Sequence, residues 1–291
     1  MSLQTSSQAG FGARRSAGFD APLAACPQCG SASIRPFDRD AKQLTISRCS
    51  DCRLLFLDPR YSDEQLDELY ANYRSPESLT RGFDPGRLQR KRRELAAFAA
   101  VAPQGACLCI GCGNGMEMVV ASEVGFSVEG IDIDSESAQR VGELYGFKTY
   151  GGDLLTTQFE SAPYQAVVFD QVLEHLKEPR RYLERVFELL TPGGVAYVGV
   201  PNIGSVSARF KTLTGKLGLK PKARRGRHYD TWHHINYFTP RSLTFGLEAT
   251  GFELVQLSGC PPAGDGDWLD RLRTRFPLFE SSMCAYARKP L

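Results

Sequence analysis

The chain has 291 residues, of which 42% are hydrophobic, and a formal net charge of +2. This length can bury one full α/β core and still carry a small appendage. No apolar run reaches the roughly 18 residues of a membrane-spanning helix, which excludes a predicted transmembrane segment. Residues 1–21 are rich in Ser, Ala, Gly and Gln and lack the apolar stretch of a signal peptide. We therefore expect a flexible tail and a cytoplasmic protein.

Cysteine spacing predicts a metal site near the N-terminus. The chain holds 9 cysteines, and an odd number without a signal peptide indicates reduced thiols. Four of them form two Cys-x2-Cys pairs separated by 19 residues, namely Cys26, Cys29, Cys49 and Cys52. This pattern is typical of tetrahedral zinc, and four protein thiolates leave no position open for a reacting water. The zinc is therefore predicted to be structural and to supply the folding free energy of this small unit.

Short apolar runs around the cysteine pairs indicate the shape of this unit. Residues 34–37, 43–47 and 54–57 are expected to form three short strands, which makes residues 22–60 a predicted zinc ribbon. The other cysteines of the first half, Cys107, Cys109 and Cys112, have the wrong spacing for ligands. We expect them to pack in the core and in a loop.

Two helices are predicted between the ribbon and the main domain. Apolar spacing and an N-cap at Ser62 indicate a helix in the linker region, residues 61–84. Tyr70 and Tyr73 on it could close over a ligand or pack against the main domain. A second helix, residues 86–101, carries five basic residues on its first half, and a solvated basic face is expected.

The main domain opens with a glycine-rich turn between two apolar runs. Residues 107–110 lead into Gly111, Gly113 and Gly115, and the next apolar run ends at Asp132, 17 residues after the last glycine. Buried parallel strands are continuous apolar runs, and an acid at the tip of the second strand can hold a ribose diol. Nicotinamide-binding loops need their third glycine one position later, where this chain has Met116.

The glycine spacing and five later segments resemble class I S-adenosylmethionine-dependent methyltransferases. The segments occur in the order of that family, at residues 150–154, 164–176, 189–201, 250–255 and 283–290. The resemblance covers residues 85–291. It implies an α/β fold, a Rossmann-like seven-stranded sheet with helices on both faces, in addition to the zinc ribbon.

The resemblance also implies S-adenosylmethionine as the cofactor. Gly111, Gly113 and Gly115 would lie under its methionine and ribose parts, where a Cβ would collide with it. Asp132 would accept from the ribose hydroxyls, Asp153 from the adenine amino group, and Gln171 would line the methionine end. The full set of expected cofactor-binding residues is Gly111, Gly113, Asn114, Gly115, Asp132, Ile133, Asp153, Leu154 and Gln171. The family usually has an acid at the position of Cys109, so the contact made by that acid is either lost here or supplied elsewhere.

A basic insertion follows the predicted fifth strand. Residues 203–232, here called the lid, carry eight Lys or Arg and no acid between residues 209 and 227. This charge attracts anions and would suit a phosphate-bearing acceptor, RNA or an anionic membrane surface. A solvated loop is the alternative.

Three of the four histidines cluster at the end of the lid. The segment from His234 to Pro240 resembles methyltransferases of bacterial polysaccharide and natural-product clusters, and Thr239 is expected to cap the following helix. His233 or His234 is predicted to be the general base for an acceptor hydroxyl. Glu174 and His175 would shape the pocket or provide the alternative base. A similar Leu-Glu-His occurs in quinone-type O-methyltransferases, some of which bind a divalent ion there. Gln171 replaces a further acid here, so no catalytic metal is predicted.

Two functions remain compatible with these motifs. The first is methyl transfer to a small-molecule or glycan acceptor, at a hydroxyl of a sugar or natural-product intermediate. The alternative is a methyltransferase for RNA or another macromolecule, bound by the ribbon and the lid. The all-cysteine quartet and the few aromatic and basic residues in the ribbon argue against nucleic acid. The sequence predicts no particular oligomeric state.

Overall fold

The described residues form two sheets with helices packed around them. This computed structural model describes residues 18–73, 82–219, 226–231, 233–260 and 273–291. The strands are β1 Ile34–Arg39, β2 Thr45–Cys49, β3 Leu55–Leu57, β4 Ala106–Ile110, β5 Ser127–Asp132, β6 Lys148–Gly151, β7 Tyr164–Asp170, β8 Leu190–Pro201, β9 Asn236–Tyr237, β10 Glu253–Gly259 and β11 Ser282–Arg288. The α-helices are α1 Asp63–Tyr73, α2 Pro85–Ala99, α3 Met116–Glu123, α4 Ser135–Tyr145, α5 Pro179–Leu189, α6 Val206–Lys216 and α7 Pro240–Thr250. Short 3-10 helices cover Leu173–His175, Arg227–Tyr229 and Pro277–Phe279.

The larger sheet has seven strands in the order β10-β11-β8-β7-β4-β5-β6. The strands from β8 to β6 run parallel, and β11 is antiparallel to both β8 and β10. The strand order reverses at β4, whose neighbours are β5 and β7. Such a reversal opens a crevice at the carboxyl ends of the strands, where ligands bind in open α/β sheets. The predicted fold class is confirmed.

Burial explains why the central strands are apolar on both faces. In β4, Leu108 packs into the core on one face, while Cys107 and Cys109 pack into the core on the other. Leu183 of α5 belongs to the first core and Phe98 of α2 to the second. Because side chains alternate along a strand, the residues on both faces of β4 must be apolar. The packing role predicted for Cys107 and Cys109 is confirmed.

Local capping residues set the helix ends. The Asp134 side chain accepts hydrogen bonds from two backbone N–H groups at the start of α4. Gly146, with φ 73°, caps the C-terminal end of the same helix. At α7, Thr239 and Ser242 form the reciprocal capping box and Pro240 occupies the first turn. The predicted cap at Thr239 is confirmed.

The smaller sheet joins the ribbon to the rest of the chain. Strands β1, β2 and β3 are antiparallel neighbours, close to the three predicted strands. A fourth strand, β9, comes from the segment before α7 and pairs with β3 through Leu55 opposite Tyr237 and Phe56 opposite Asn236. Gln28 Nε2 also donates to the Ser242 carbonyl over 3.0 Å. The sheet therefore includes residues from outside 22–60.

Two features of the linker region bear on the predictions. Lys91 of α2 is only 3% exposed, so the expectation of a solvated basic face is wrong for this residue. The side-chain roles suggested for Tyr70 and Tyr73 fall outside the described part of the structure. Among the described helices, none has both the length and the apolar composition needed to cross a membrane.

Candidate active site

The glycine-rich loop connects β4 to α3 at the reversal of strand order. Gly111, Gly113 and Gly115 have φ values of 68°, 54° and 86°, a region that favours glycine. A Cβ on Gly111 would lie 2.4 Å from Val172, and one on Gly115 would lie 2.9 Å from Tyr145. A Cβ on Gly113 would meet nothing closer than a backbone oxygen at 3.7 Å. Packing within the protein therefore requires Gly111 and Gly115, whereas Gly113 has room for a Cβ and is favoured by its positive φ alone.

Asp132 ties this loop to the end of β5. Its side chain is 2% exposed and accepts hydrogen bonds from Gly113 N at 2.9 Å and from Asp134 N at 3.1 Å. A carboxylate has about four acceptor sites, and a diol offers the kind of donors that suit it. The adjacent Ile133 is 63% exposed, which provides an apolar surface beside the carboxylate.

The remaining predicted cofactor residues surround the same crevice. The Asp153 carboxylate accepts from Tyr182 Oη at 3.0 and 3.1 Å and from Leu155 N at 2.9 Å, which fixes its position. Leu154 is buried, and Gln171 adopts the left-handed conformation with φ 54° just after β7. The glycine turn, the acid at the end of β5 and the acid after β6 thus lie at one edge of the sheet. This donor and acceptor set fits a nucleoside ligand.

A buried charge cluster lies beside Cys109, which is itself 1% exposed. Lys91 Nζ is 2.6 Å from Asp170 Oδ2, 2.8 Å from Glu94 Oε2 and 3.9 Å from Glu117 Oε1. Asp170 ends β7, and Glu117 is in the first turn of α3, directly after the glycine loop. Glu94 Oε1 also lies 3.6 Å from Arg90 Nε, so the cluster contains three carboxyl groups and two cationic side chains.

The cluster was not foreseen in the sequence. Burial alone would lower the pKa of Lys91, but the three carboxylates raise it well above its usual value. Burial also raises the pKa of Glu117, against the opposing effect of Lys91. The sequence signal that could have revealed the cluster is an acid, Asp170, at the end of a buried strand. In the structure Asp170 lies opposite Gly199, where a Cβ would collide with the Asp170 carboxylate.

The predicted catalytic residues form a second cluster above β7. Glu174 is 1% exposed, and its Oε1 lies 3.7 Å from His175 Nε2 and 3.9 Å from His234 Nε2. Neither Glu174 oxygen has a hydrogen-bond partner among the described residues. His175 Nδ1 is 3.1 Å from the His233 carbonyl oxygen, and the His175 and His233 rings stack with centroids 5.3 Å apart. The structure thus brings together all four residues predicted for catalysis.

Burial determines the protonation of this cluster. It raises the pKa of Glu174 to about 8 and lowers the pKa of His175 to about 3 and that of His234 to about 4. Burial lowers the pKa of His233 as well. At neutral pH the carboxyl therefore keeps its proton and the imidazoles are neutral, so that a histidine nitrogen can accept a proton from a hydroxyl.

The same cluster has atoms suited to a cation. The ligand atoms of Glu174, His175 and His234 lie within 4.8 Å of one another. Asp230, His233 and His234 form a similar group with a more exposed acid. The absence of a catalytic metal therefore stays a prediction.

The lid forms one wall above the histidines. A cavity of about 110 Å³ is lined by His234, His228 and Lys211, together with Ile203 and Tyr229. His228 Nε2 is 2.8 Å from Thr212 Oγ1 of α6. Part of the basic charge predicted for the lid, on Lys220, Lys222, Arg224 and Arg225, lies outside the described residues.

The four ribbon cysteines converge as their spacing predicts. The sulfurs of Cys26 and Cys52 are 3.5 Å apart, as are those of Cys29 and Cys49, and all four lie within 4.8 Å of one another. Tetrahedral zinc with Zn–S bonds of about 2.3 Å would hold sulfurs about 3.8 Å apart. The cluster is therefore compatible with a zinc ribbon.

Sequence comparisons show which family this chain belongs to. A family model described as a methyltransferase domain matches residues 81–257. A ubiquinone biosynthesis O-methyltransferase of Xylella fastidiosa strain M23 is 25% identical over 215 residues, 68% of this chain and 82% of that protein. The enzyme of the same name from Caulobacter vibrioides is 31% identical over 134 residues, 41% of this chain. The matched region spans only 53% of the Caulobacter protein's length.

Solved structures show the same fold. The 1,6-didemethyltoxoflavin-N1-methyltransferase of Burkholderia thailandensis, with bound S-adenosylhomocysteine, matches 88% of this chain and all of its own, with a TM-score of 0.52 and 17% identity. The N-methyltransferase NodS of Bradyrhizobium japonicum WM9 covers 79% of this chain with a TM-score of 0.51 and 16% identity. The chain therefore belongs to the methyltransferase-domain family and has the fold of these two methyltransferases.

Proposed function

We propose that this enzyme methylates a hydroxyl group of a small molecule, namely a sugar or natural-product intermediate. The observation that carries this proposal is Glu174, a buried carboxyl just after β7 that has no hydrogen-bond partner among the described residues and lies next to the neutral His234. Buried polar groups in proteins rarely lack partners, so this pair suits a ligand hydroxyl that would complete its hydrogen bonds. The similarity to enzymes named ubiquinone biosynthesis O-methyltransferases supports methyl transfer to oxygen.

We assign the cofactor contacts to the residues expected from the sequence. Asp132 would accept hydrogen bonds from the ribose hydroxyls, Asp153 from the adenine amino group, and Gly113 would leave room for the ligand. Asn114, Ile133, Leu154 and Gln171 would line the remaining surface. When bound, S-adenosylmethionine supplies an electrophilic methyl group, and these residues hold the ligand in position for in-line transfer.

The acid missing at Cys109 is, in this proposal, replaced by Asp170 and Glu117. Both carboxylates adjoin the glycine loop, and both interact with the Lys91 ammonium. One of these carboxyls would accept a hydrogen bond from the cofactor's amino group.

His234 is the proposed base. Its neutral imidazole can take the proton of the acceptor hydroxyl, while the protonated Glu174 can donate a hydrogen bond to the same oxygen. His233 lies beside it in sequence and engages His175 through its carbonyl oxygen. His175 and Glu174 remain the alternative bases.

We further propose that Cys26, Cys29, Cys49 and Cys52 bind one structural zinc ion. Since β9 pairs with the ribbon strand β3, the ion would also hold the segment that carries His233 and His234. No disulfide joins any of the nine cysteines, all of which the structure describes. This agrees with a reducing compartment, and we keep the cytoplasm as the proposed location.

Incubation with candidate acceptors tests this function. Sugar, nucleotide-sugar and phenolic hydroxyls should give S-adenosylhomocysteine release that depends on His234. RNA is the competing acceptor, and a steep fall of RNA binding with salt, together with methylated RNA, would replace the proposal. Activity that survives a chelator, with the ribbon zinc retained, would support the absence of a catalytic metal.

A further inference from the structure

A second, larger cavity lies between the ribbon and the lid. Its volume is about 480 Å³, and its described lining includes five cationic side chains and no carboxylate. These are Arg48 and Arg53 of the ribbon, Arg209 and Lys216 of α6, and Arg241 of α7. We call this space the ribbon–lid cavity. Five like charges around one cavity create a positive potential that attracts an anion.

Among the described residues, Arg48 is the clearest case of a positive charge in this cavity without a nearby carboxylate. Its Nε is buried and has no hydrogen-bond partner among the described residues. Burial lowers the pKa of Arg48, and the neighbouring charges of Arg35 and Arg53 lower it further. No described carboxylate lies within ion-pair distance of Arg48, Arg53 or Arg209. The Arg48 guanidinium lies over the Phe37 ring, 4.8 Å from its centroid, but its Nε has no acceptor among the described residues, and an anionic ligand would supply one.

The first turn of α7 reinforces the positive field. Thr239, Pro240 and Arg241 line the cavity, so the helix of 11 residues directs the positive end of its dipole there. The remaining wall is apolar and includes Phe37, Leu213 and Leu278, with Leu213 55% exposed. The cavity therefore offers cations for an anion and an apolar surface for the group attached to it.

The cavity is next to the proposed acceptor site. Ile203 and Tyr229 line both the ribbon–lid cavity and the smaller cavity that contains His234. A ligand anchored by its anionic end on the five cations could extend past these two residues toward His234. The arrangement suits a long acceptor with charge at one end and a hydroxyl at the other.

We propose that the ribbon–lid cavity binds the phosphate or diphosphate group of the acceptor, with the zinc ribbon supplying Arg48 and Arg53 for this contact. This inference rests on the proposed methyl transfer and adds the substrate class, a phosphorylated hydroxyl compound. Planar guanidinium groups bind phosphate through paired hydrogen bonds, which explains three or more arginines in one cavity. The ribbon then has a recognition role besides its structural one.

Equilibrium binding of inorganic pyrophosphate to the zinc-loaded protein tests this inference without any methyl transfer. The variant Arg53→Gln/Arg209→Gln removes one charge from each wall. It should bind pyrophosphate at least about tenfold more weakly, since hydrogen bonds to charged groups are worth about that factor. Arg140→Gln/Arg180→Gln removes two arginines outside the cavity, on α4 and α5, and should change the affinity less than about twofold, as expected for screened surface charges. Unchanged thermal unfolding of both variants shows that the fold is intact.

Two phosphorylated probes distinguish the sources of the diphosphate. Uridine diphosphate represents a soluble nucleotide-linked acceptor, and farnesyl diphosphate represents a lipid-linked one. The source of the diphosphate is identified by the probe that binds more tightly, provided that Arg53→Gln/Arg209→Gln weakens its binding as much as it weakens that of pyrophosphate. Binding of both probes with equal losses in the control variant, or no binding of pyrophosphate at all, would overturn the inference. Binding only to phosphatidylglycerol vesicles would overturn it too, because a charged surface would then be the partner.

The result is separable from the proposed function. If the cavity binds diphosphate but no hydroxyl compound is methylated, the proposed reaction fails and the anion site stands. If S-adenosylhomocysteine is released with unphosphorylated acceptors while pyrophosphate does not bind, the reaction stands and the anion site fails.

Discussion

At the scale of single residues, Asp132 holds the glycine loop and is the proposed ribose ligand. Asp132→Ala removes the acceptor for Gly113 N and, in our proposal, the acceptor for the ribose hydroxyls. We expect S-adenosylmethionine binding to weaken by about 1.5–3 kcal/mol, the usual range for hydrogen bonds to a charged group. Calorimetric titration measures the effect.

A neighbouring acid provides the control for Asp132. Asp134→Ala removes the cap of α4, which should lower stability by about 1 kcal/mol and leave the cofactor affinity nearly unchanged. Equal affinity losses in both variants would indicate loop disorder rather than a lost ligand contact. An unchanged affinity in Asp132→Ala would show that the ribose contact is misassigned.

His234 should control the pH dependence of turnover. His234→Ala is expected to reduce turnover by roughly 10²–10⁴-fold, the range for a positioned base, with little change in cofactor affinity. Because burial lowers the pKa of His234 to about 4, the wild-type rate should rise with pH through that value rather than near 6.5. A protonated imidazole cannot accept a proton, so the rate falls on the acid side, and this limb should disappear in the variant.

Two further histidine variants test the assignment. His233→Ala should have the smaller effect, and His228→Ala, which alters a side chain bonded to Thr212, serves as the control for changes in the lid. If His234→Ala turns over normally, the base is Glu174 or His175, or the acceptor is acidic enough to need none.

Glu174 should make the folded state sensitive to alkaline pH. In the unfolded chain its carboxyl ionises near pH 4.5, whereas in the folded protein burial raises its pKa to about 8. The free energy of unfolding therefore falls as the pH rises from about 4.5 to 8, by up to about 1.4 kcal/mol per pH unit. Glu174→Gln cannot ionise. The difference in unfolding free energy, variant minus wild type, should therefore increase with pH across this range.

Urea denaturation at several pH values between 5 and 9 measures this difference. Glu184→Gln, at an exposed position on α5, should show a constant difference from the wild type. A constant difference for Glu174→Gln as well would mean that the Glu174 carboxyl is ionised in the folded protein, which a bound cation would explain.

At the scale of elements, the ribbon and the segment before α7 form one sheet. Cys49→Ser removes one of four proposed zinc ligands, and we expect loss of the ion and of the ribbon fold, because a small unit of this kind depends on its metal. The pairing of β3 with β9 predicts that methyl transfer falls together with zinc content. Elemental analysis and turnover of the same preparations measure both.

A buried cysteine outside the cluster is the matched control. Cys260→Ser changes a thiol that is 8% exposed and should keep one zinc per chain. Wild-type protein purified under reducing conditions without zinc would contradict the proposed site.

Some elements could be predicted because their cause is local in sequence. The turn at Gly111, the cap at Thr239 and the cysteine pairs each depend on a few neighbouring residues. Strand β9 could not be predicted, since two residues carry too little periodicity and their partner β3 is about 180 residues away. Burial of Lys91 was missed for a similar reason, because Asp170, its closest partner, comes from a distant strand.

At the scale of the whole molecule, the two sheets meet at the proposed acceptor site. The large sheet carries the glycine loop, Asp132 and Glu174, and the ribbon sheet holds β9 and one wall of the ribbon–lid cavity. The predicted seven-stranded sheet is confirmed, because five motifs in order determine its topology. The ribbon's place over the site depends on contacts such as that of Gln28 with Ser242, which join residues 214 positions apart.

Methyl transfer from S-adenosylmethionine labelled with ¹³C in its methyl group tests the central claim most directly. The enzyme is incubated with sugar, nucleotide-sugar and phenolic acceptors, and the product is analysed by NMR and mass spectrometry. We predict one labelled methyl group on an oxygen, equimolar S-adenosylhomocysteine, and loss of the product in His234→Ala. A label on nitrogen or carbon, or transfer to RNA alone, would contradict the account.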